Sequence, residues 1–579
     1  MSVLARIRSP ADVRALPPES LVPLCAEVRE AIVEVCGRVG GHLGASLGTV
    51  ELIVALHRVF HSPVDRLVFD VGHQAYAHKL LTGRRAQLST LRQAGGLAPF
   101  LDPAESAHDA FGAGHACTAI SVAVGLVEGL RVTNAPGQVV AIVGDGALTG
   151  GLSFEGLNHA SVASRGLTIV LNDNGMSISQ NVGAVARLLE SDARRFFEAL
   201  GFVYVGPIDG HDVHHLIDVL RAAKASSKPV VVHARTEKGR GFAPAEADLR
   251  TRGHAMGPYE LRDGKLVRAR PGKTTWSDAF ARLLEERLAI DPKVVVVTPA
   301  MVEGSSLSAL QARFPERVFD VGIAEQHAVT FAAGLAKAGA RPVVCIYSTF
   351  LQRAYDQVVH DVVLPGLPVV FAIDRAGLVG ADGATHQGAF DVSFLRPLPG
   401  LAIAAPVYLD DLGELLDWSM QRAGPSAIRF PRGVITGPRP GGLAAAPASR
   451  WLARPPGPTT LVFVTSGVLG LQAVEAAQGL PWGVLDAGDV ARLDRALLRD
   501  AASSGALVIA EEASPRGGLG DAVLEVLAEE GLSPRVSVVG LPADQFVKHG
   551  EANAQRRALG LHADGLREAG HALLSQGAP

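Results

Sequence analysis

Short runs of apolar and β-branched residues alternate with alanine-rich, helix-like stretches along most of this chain. Eight such runs stand out, namely VVAIVGD, LTIVLND, PVVVHAR, KVVVVTP, PVVCIYS, LPVVFAID, TTLVFVTSG and GALVIAEE. Between them lie segments such as AISVAVGLVEGLRV and EQHAVTFAAGLAKAG. Strands that are apolar without a break are buried on both faces, which is typical of parallel sheets covered by helices on each side. The pattern predicts an α/β protein built from doubly wound sheets.

The length and two linker-like stretches predict how this pattern is divided. The chain has 579 residues, more than one hydrophobic core usually serves, so several domains are expected. Residues 261–276 and 437–460 have the composition of linkers, the second being rich in Pro, Gly and Ala. They predict three α/β domains, at 1–265, 275–436 and 458–579.

Charge and cysteine content narrow the classes of function. The net charge is −4, from 54 basic and 58 acidic residues, which argues against a nucleic-acid-binding surface. No apolar run approaches the roughly 20 residues needed to span a bilayer, and the first residues lack the apolar region of a signal peptide. The four cysteines are scattered without a CxxC pair, so neither a zinc site nor a disulfide framework is indicated. We expect a cytoplasmic protein without membrane or nucleic-acid partners.

Asp145 lies between two glycines, in GDG, directly after the apolar run VVAIV. Alone, GDG is an ordinary turn. A divalent cation requires more than one hard oxygen ligand, and the next apolar run supplies Asn174, again just past a strand end. Adjacent parallel strands would bring both side chains to one sheet edge, where the backbone carbonyl of Met176 could add a third ligand. The spacing predicts a metal site that anchors a diphosphate at the helix start which follows Asp145.

The GDG…NDN pattern resembles the Mg²⁺–diphosphate motif of thiamine-diphosphate enzymes. Longer stretches resemble the 1-deoxy-D-xylulose-5-phosphate synthases of the transketolase superfamily; they include GGHLGASLGTVEL, FDVGHQAYAHKLLTGRR, GDGALTGGLSFEGLNHA, DVGIAEQHAVTFAAGLA and IDRAGLVGADGATHQGAFD. The similarity runs from about residue 20 to the end of the sequence. It implies diphosphate-binding, pyrimidine-binding and transketolase C-terminal domains in that order, with thiamine diphosphate and Mg²⁺ as cofactors.

The resemblance also implies an activity. It is the condensation of pyruvate with D-glyceraldehyde 3-phosphate to 1-deoxy-D-xylulose 5-phosphate and CO₂. The product would feed isoprenoid, thiamine and pyridoxal synthesis. The resemblance also implies that the enzyme is a homodimer. One alternative is a transketolase, which transfers a ketol unit without releasing CO₂; YSTFLQRAYDQ and DRAGLVGADGATHQG fit the synthases better. The other is an inactive cofactor-binding homologue, against which the presence of Asp145, Asn174 and Glu325 argues.

Glu325, in IAEQH, starts a helix-like apolar segment. Alone, it is an acid favoured by the helix dipole. The resemblance implies that it faces N1′ of the cofactor pyrimidine, where a carboxyl group whose protonated form is favoured by burial suits proton exchange. The resemblance further implies that Phe350, in STFLQ, packs on the pyrimidine ring; alone it would be a core residue.

Four histidines lie in glycine-containing or other motif stretches, namely His42, His73, His115 and His386. Each alone is more often structural, but together they suit a pocket that transfers protons near neutral pH. The resemblance implies catalytic roles for His42, His73 and His386, with His73 and His115 at the cofactor and His42 and His386 toward substrate. It also implies cofactor contacts for Gly114, Ala116, Gly146, Ala147, Asn174 and Phe242.

The expected aldehyde substrate carries a phosphate, which arginine binds well because its guanidinium can donate two parallel hydrogen bonds. Each candidate arginine alone would be a surface or salt-bridge residue. The motifs predict a substrate-binding set of Tyr347, Arg353, Arg375, Asp382, His386 and Arg432. Lys238, in TEKGRGF, is a further basic candidate whose role stays open.

The sequence departs from the family pattern in four places. Gly175 stands in NDNG where the family usually has Glu, and Phe242 stands where it has Tyr. The segment after NVGA is roughly forty residues shorter, a difference that is natural or engineered and bears on gating more than on chemistry. The stretch around His254 also differs, so this histidine is only weakly placed as an active-site residue.

Overall fold

The computed structural model describes residues 2–162, 166–262, 265–268 and 274–576. The chain forms two compact units, Met1–Pro271 with Gly322–Ala324, and Gly272–Val321 with Glu325–Pro579. The first unit contains one parallel sheet and the second contains two further sheets, which confirms the predicted α/β class.

The sheet of the first unit has the strand order β1-β2-β3-β5-β4, with every pair parallel. Its strands are β1 Arg66–Phe69, β2 Val139–Gly144, β3 Leu167–Asp173, β4 Val203–Asp209 and β5 Val230–Arg235. Side chains of β2 alternate between two buried apolar clusters, with Val140 and Ile142 in one and Ala141 and Val143 in the other. The sheet is therefore covered on both faces, as continuous apolar strands predict.

Helices of the first unit supply these two covering layers. They are α1 Pro10–Ala15, α2 Leu21–Val39, α3 Leu43–Leu47, α4 Val50–Val59, α5 Tyr76–Lys79, α6 Ala119–Val132, α7 Asp145–Leu148, α8 Gly151–Ala160, α9 Ala184–Ser191, α10 Ala193–Ala199, α11 Val213–Lys224 and α12 Ala243–Glu246. Helix α6 coincides with the predicted segment AISVAVGLVEGLRV. An antiparallel hairpin of β6 Tyr259–Arg262 and β7 Lys265–Arg268 follows.

The first sheet of the second unit is also parallel, with the order β12-β13-β11-β10-β8-β9. Its strands are β8 Val294–Thr298, β9 Val318–Asp320, β10 Arg341–Tyr347, β11 Val370–Asp374, β12 Ala402–Ala404 and β13 Ser426–Arg429. The other sheet has the order β14-β16-β15-β17-β18, and only its edge strand β14 is antiparallel to its neighbour among the described residues. Its strands are β14 Arg450–Ala453, β15 Leu461–Thr465, β16 Trp482–Asp486, β17 Ala506–Ala510 and β18 Arg535–Val539.

The helices of the second unit pack around these two sheets. They are α13 Trp276–Ile290, α14 Ser308–Arg313, α15 Glu325–Lys337, α16 Ser348–Leu351, α17 Tyr355–Gln357, α18 Asp391–Leu395, α19 Leu409–Gln421, α20 Leu469–Ala477, α21 Arg495–Ala502, α22 Leu519–Glu529, α23 Ala552–Ala558 and α24 Ala563–Ser575. Short 3₁₀ and π segments cover Leu4–Arg6, Pro18–Ser20, Leu80–Arg84, Arg85–Thr90, Gln352–Ala354 and Val358–Val363.

The eight apolar runs coincide with β2, β3, β5, β8, β10, β11, β15 and β17, which confirms them as strands. The two linker-like stretches contain some secondary structure. The stretch 261–276 contains most of the β6–β7 hairpin and the start of α13, while 263–264 and 269–273 lie outside the described residues. The stretch 437–460 contains β14. The strands β6, β7 and β14 are antiparallel and four residues long, and they lack the continuous apolar run by which the buried parallel strands are predicted.

Candidate active site

Polar side chains collect at the carboxyl edge of the first unit's sheet. His73 follows β1, Asp145 follows β2, Asn174 follows β3 and Lys238 follows β5. The Asp145 carboxylate accepts hydrogen bonds from the N–H groups of Asn174 at 3.1 Å and Gly175 at 2.6 Å. Carboxyl ends of adjacent parallel strands therefore bring the GDG and NDN motifs together, as their spacing predicts.

Asp145 is a buried carboxylate with an acidic neighbour. It is 2% exposed. Burial is the main cause that raises the pKa of its carboxyl group, and the negative charge of nearby Asp173 adds to the shift. Because two carboxyl groups in contact are both ionised only at high cost, this place favours a proton or a cation. Asn174 Oδ1 accepts from the N–H of Met176 at 3.0 Å. The donor set thus contains hard oxygen atoms, the type that Mg²⁺ prefers.

A cavity of about 330 Å³ lies beside these residues, and its lining includes Asn174, Met176 and Lys238. Lys238 is buried, its ammonium donates to the carbonyl of Ser177, and burial lowers its pKa to about 7. A Cβ atom on Gly146 would lie 2.8 Å from the Cβ of Ser177, so only glycine allows this approach. The edge therefore has room for an anionic group beside the buried amine of Lys238. Among the described residues, no three His, Cys, Asp or Glu side chains form a metal-binding group.

Three histidine rings cluster in the same unit. The ring centroids of His42 and His73 are 6.2 Å apart, those of His42 and His254 are 5.8 Å apart, and those of His73 and His254 are 5.4 Å apart. The Nδ1 atoms of His73 and His254 are buried and have no hydrogen-bond partner among the described residues. Burial holds the pKa of both rings well below 6.5. These neutral rings have hydrogen-bonding capacity left for a ligand, and His254, the weakly placed residue, is one of them.

The loop 114–116, which contains three predicted cofactor contacts including His115, precedes α6. Asp70 fixes its far end by accepting hydrogen bonds from the N–H groups of Cys117 at 2.8 Å and Ala119 at 3.0 Å. His115 is partly exposed. Sequence reasoning missed Asp70, although its position directly after a strand, in FDVGH, could have indicated it.

Two other predicted cofactor contacts are buried. Phe242 is 7% exposed and its ring centroid lies 6.0 Å from that of Tyr259, inside the apolar core. Ala147 belongs to the short helix α7 and packs in the apolar cluster on the other face of the sheet.

A chain of hydrogen bonds behind Asp145 was also missed. Asp173 contacts His233 Nε2 at 2.8 Å, and His233 Nδ1 contacts the Tyr204 hydroxyl at 2.7 Å. The three residues belong to β3, β5 and β4. Apolar patterning does not predict polar partners between strands that are distant in sequence.

In the second unit, Glu325 is the first residue of α15, as predicted. It is 5% exposed, and burial raises the pKa of its carboxyl group although Arg353 opposes the shift. Arg353 Nη1 lies 3.5 Å from Glu325 Oε2. The carboxyl group therefore keeps a proton more readily than an exposed glutamate.

A group of aromatic and charged side chains lies at the carboxyl ends of β10 and β11. The rings of Tyr347 and Phe350 stack at 5.3 Å, and Phe350 meets His386 edge-on at 5.6 Å. The guanidinium carbon of Arg375 lies 3.7 Å from the Tyr347 ring centroid. Arg375 also donates to Asp374 at 2.9 Å. Four predicted residues thus form one contiguous group.

Arg432 differs from the other two predicted arginines. Its Nη1 donates to the Val379 carbonyl at 3.2 Å and lies 3.4 Å from Asp382 Oδ2. Its side chain is 44% exposed, against 15% for Arg353 and 21% for Arg375. It is therefore the arginine of the three that solvent and an anion reach most easily.

Comparisons with known proteins cover nearly the whole chain. Family models match residues 4–195 and 190–236 as "1-deoxy-D-xylulose-5-phosphate synthase", residues 272–437 as "Transketolase, pyrimidine binding domain" and residues 456–566 as "Transketolase, C-terminal domain". No helix of the described residues has the length and hydropathy to cross a bilayer.

Relatives match end to end. The 1-deoxy-D-xylulose-5-phosphate synthase of Myxococcus xanthus is 64% identical over 581 residues, covering 99% of each chain. That of Anaeromyxobacter dehalogenans strain 2CP-C is 48% identical over 625 residues, covering 99% of this chain and 98% of the relative. The Myxococcus protein therefore shares the short length, whereas the second alignment is longer than this chain. At this identity over its full length, the chain belongs to the 1-deoxy-D-xylulose-5-phosphate synthase family.

Proposed function

We propose that the protein condenses pyruvate with D-glyceraldehyde 3-phosphate, releasing CO₂ and forming 1-deoxy-D-xylulose 5-phosphate for isoprenoid precursor synthesis. The observation that carries the proposal is the 64% identity to a synthase of this name over 99% of both chains. Members of this family are thiamine-diphosphate-dependent transferases, and the chain contains the pyrimidine-binding domain of transketolases.

The residues at the edge of the first sheet fit the diphosphate end of that cofactor. Asp145, Asn174 and the Met176 carbonyl would hold Mg²⁺, whose charge would stabilise the buried pair of Asp145 and Asp173. His73, whose Nδ1 has no partner in the described part of the chain, and Lys238 would contact the diphosphate oxygens. The loop 114–116 and the 146–147 backbone complete the proposed set.

Bound thiamine diphosphate supplies a nucleophilic carbon and accepts the electrons released on decarboxylation. The protein has to position it and to move protons. Glu325 is suited to holding one proton at its carboxyl group, opposite the pyrimidine, because burial favours its protonated form. Phe350 would pack on the pyrimidine ring. His42 and His73, whose ring centroids lie 6.2 Å apart, would act as acid–base groups, His42 toward the substrates and His73 at the cofactor.

The acceptor is proposed to bind in the second unit through its phosphate. Arg432 is the most exposed of the predicted arginines, so it is the first candidate for bidentate contact with the dianion. Arg353 and Arg375 would add positive charge nearby, while Tyr347, Asp382 and His386 would contact the hydroxyl and carbonyl groups.

CO₂ release tests the activity against its alternative. With pyruvate and glyceraldehyde 3-phosphate, the proposal expects one CO₂ per product molecule. A transketolase would instead transfer a two-carbon unit from a ketose phosphate without CO₂, and that outcome would replace the proposal. An inactive homologue would give neither.

The metal has its own test. Asp145→Asn should weaken cofactor binding and remove its dependence on Mg²⁺, as measured by calorimetry with and without the metal. Asp65→Asn is the control, because Asp65 is a buried carboxylate that precedes β1 and pairs with Lys224 at 2.7 Å. If Asp145→Asn retains the Mg²⁺ dependence of the wild type, the ligand assignment is wrong.

Assembly and location are proposed on the family resemblance. We propose a homodimer, which light scattering after size exclusion tests directly. We propose a cytoplasmic location, which suits four cysteines that are all buried and free.

A further inference from the structure

A glycine-rich loop, residues 377–388, contains much of the proposed acceptor site. Asp382 and His386 belong to it, and Arg432 donates to its Val379 carbonyl at 3.2 Å. The N–H and carbonyl groups of Gly377 and Gly388 bond to each other in both directions, at 2.8 and 2.7 Å, which closes the base of the loop. We call residues 377–388 the acceptor loop. These two bonds fix only the base of the loop. The conformation of its interior therefore depends on other contacts.

Glu512, which follows β17 in the last sheet, reaches this loop. Its Oε1 accepts a hydrogen bond from the buried N–H of Leu378 at 2.8 Å. Arg556 in α23 donates to Oε2 of the same carboxylate at 2.7 Å and to Oε1 at 2.8 Å, and its Nη2 lies 3.5 Å from the Leu378 carbonyl. The bidentate pair therefore orients Glu512 toward the loop backbone.

The loop backbone is shaped to receive this carboxylate. Gly377 has φ +79°, and a Cβ atom there would lie 2.6 Å from Glu512 Oε1. A side chain at this position would displace the carboxylate.

The segment 548–552 packs against the middle of the loop. A Cβ on Gly383 would lie 3.0 Å from the Cβ of His549, and Gly380 approaches the backbone of Gly550 as closely. Gln387 completes the contact, since its Oε1 accepts from the Val379 N–H at 2.7 Å and its amide donates to the Lys548 carbonyl at 3.4 Å. Residues far along the chain therefore hold the loop along most of its length.

We propose that Glu512 and Arg556 are positioning residues for the acceptor substrate, holding the acceptor loop so that Asp382, His386 and Arg432 keep one geometry. This assignment rests on the proposed function for the identity of the substrate. It gives the last sheet and α23, which contain no predicted site residue, a role in specificity for the phosphorylated aldehyde.

Hydrogen exchange tests the holding role without substrate. Glu512→Gln places an amide NH₂ against the donors of Arg556, so the amides of residues 377–388 should exchange faster. Glu511→Gln is the matched control, because Glu511 is the neighbouring buried carboxylate and accepts from Leu519 and Gly520, both at 2.8 Å, instead of the loop. It should loosen residues 518–522 and leave the loop unchanged. Unchanged loop exchange in Glu512→Gln would overturn the proposal.

Kinetics test the positioning role. Glu512→Gln should raise the KM for glyceraldehyde 3-phosphate by about tenfold, the scale of one lost charge-assisted hydrogen bond, while the KM for pyruvate and the cofactor Kd stay within about twofold. Arg556→Gln, a partly exposed position, should shift the same KM, and Arg556→Lys should recover part of it. Faster loop exchange with an unchanged aldehyde KM would contradict positioning. If the wild type forms no 1-deoxy-D-xylulose 5-phosphate, the proposed function fails, and hydrogen exchange still decides whether the two residues hold the loop.

Discussion

At the scale of single residues, burial decides the chemistry of Glu325. Its carboxyl group lies at the start of α15 with Arg353 Nη1 at 3.5 Å, and burial outweighs that cation in raising the pKa. An exposed glutamate would be ionised near neutral pH and would return a proton poorly.

Glu325→Gln should therefore lower turnover by about 10²–10⁴-fold, the contribution of a positioned acid or base, with the fold intact. Exchange of the cofactor C2 proton, followed by NMR, reports on this residue before any substrate binds. Glu285→Gln is the control, because Glu285 lies in α13 and pairs with Arg313 at 2.6 Å. Unaltered C2 exchange in Glu325→Gln would remove Glu325 from the mechanism.

Arg432→Ala should raise the KM for glyceraldehyde 3-phosphate by about tenfold or more, because it removes a charge-assisted contact worth roughly 1.5–3 kcal/mol. Unphosphorylated glyceraldehyde, which has no phosphate to lose, should be affected little. Arg353→Ala should behave differently, since Arg353 also faces Glu325 and its loss should lower kcat. Equal losses with both aldehydes in Arg432→Ala would show that this arginine does not bind the phosphate.

The positions of Asp145 and Asn174 at strand ends and of Glu325 at a helix start were predictable, because each follows from the local sequence pattern. His254 could be placed only weakly, because its neighbourhood departs from the family pattern. The proposed role of Glu512 and Arg556 was not predictable, because it depends on their contact with a loop more than 120 residues earlier in the chain. No local pattern encodes such a pairing.

At the scale of elements, the continuous apolar strands were predictable and the edge elements were not. β14 lay hidden in a stretch rich in Pro, Gly and Ala, because an edge strand needs only one buried face. An ion pair between elements holds it instead. Arg450 is 4% exposed and donates to Asp411 of α19 at 3.0 Å, and its Nε lies 3.3 Å from Asp486.

Arg450→Met should lower the free energy of unfolding of the second unit by about 3–5 kcal/mol, because it leaves buried carboxylates without their partner. Arg454→Met is the control, since Arg454 follows the same strand and pairs with Asp500 at the surface, where such pairs contribute at most about 1 kcal/mol. Scanning calorimetry compares the two. Equal shifts of the melting transition would show that the Arg450 pair adds nothing beyond a surface pair.

At the scale of the whole molecule, buried histidines and buried carboxylates act in opposite directions on stability. Burial lowers the pKa of His57, so below about pH 6.5 the unfolded chain takes up a proton that the folded chain does not, and stability falls as pH falls. Burial raises the pKa of the Asp486 carboxyl group to about 7. Between the ordinary pKa of an aspartate and about pH 7, the folded chain holds a proton that the unfolded chain has lost, so stability falls as pH rises. Only comparison of variants separates the two effects.

The melting temperature of His57→Gln should therefore lie closer to that of the wild type at pH 5 than at pH 7. The wild type loses up to about 1.4 kcal/mol per pH unit below 6.5 through this residue, and the variant does not. His214→Gln, at an exposed histidine in α11, should show the same difference at both pH values. A gap for His57→Gln that is equal at both pH values would mean that His57 protonates in the folded protein.

The identity of the product decides whether the protein is a decarboxylating synthase. The purified protein is incubated with carbon-13-labelled pyruvate, glyceraldehyde 3-phosphate, Mg²⁺ and thiamine diphosphate, and the mixture is followed by NMR. We expect labelled 1-deoxy-D-xylulose 5-phosphate and CO₂ with the wild type, and neither above background with Glu325→Gln. Pyruvate that stays unconsumed, while ketose phosphates exchange two-carbon units, would contradict it.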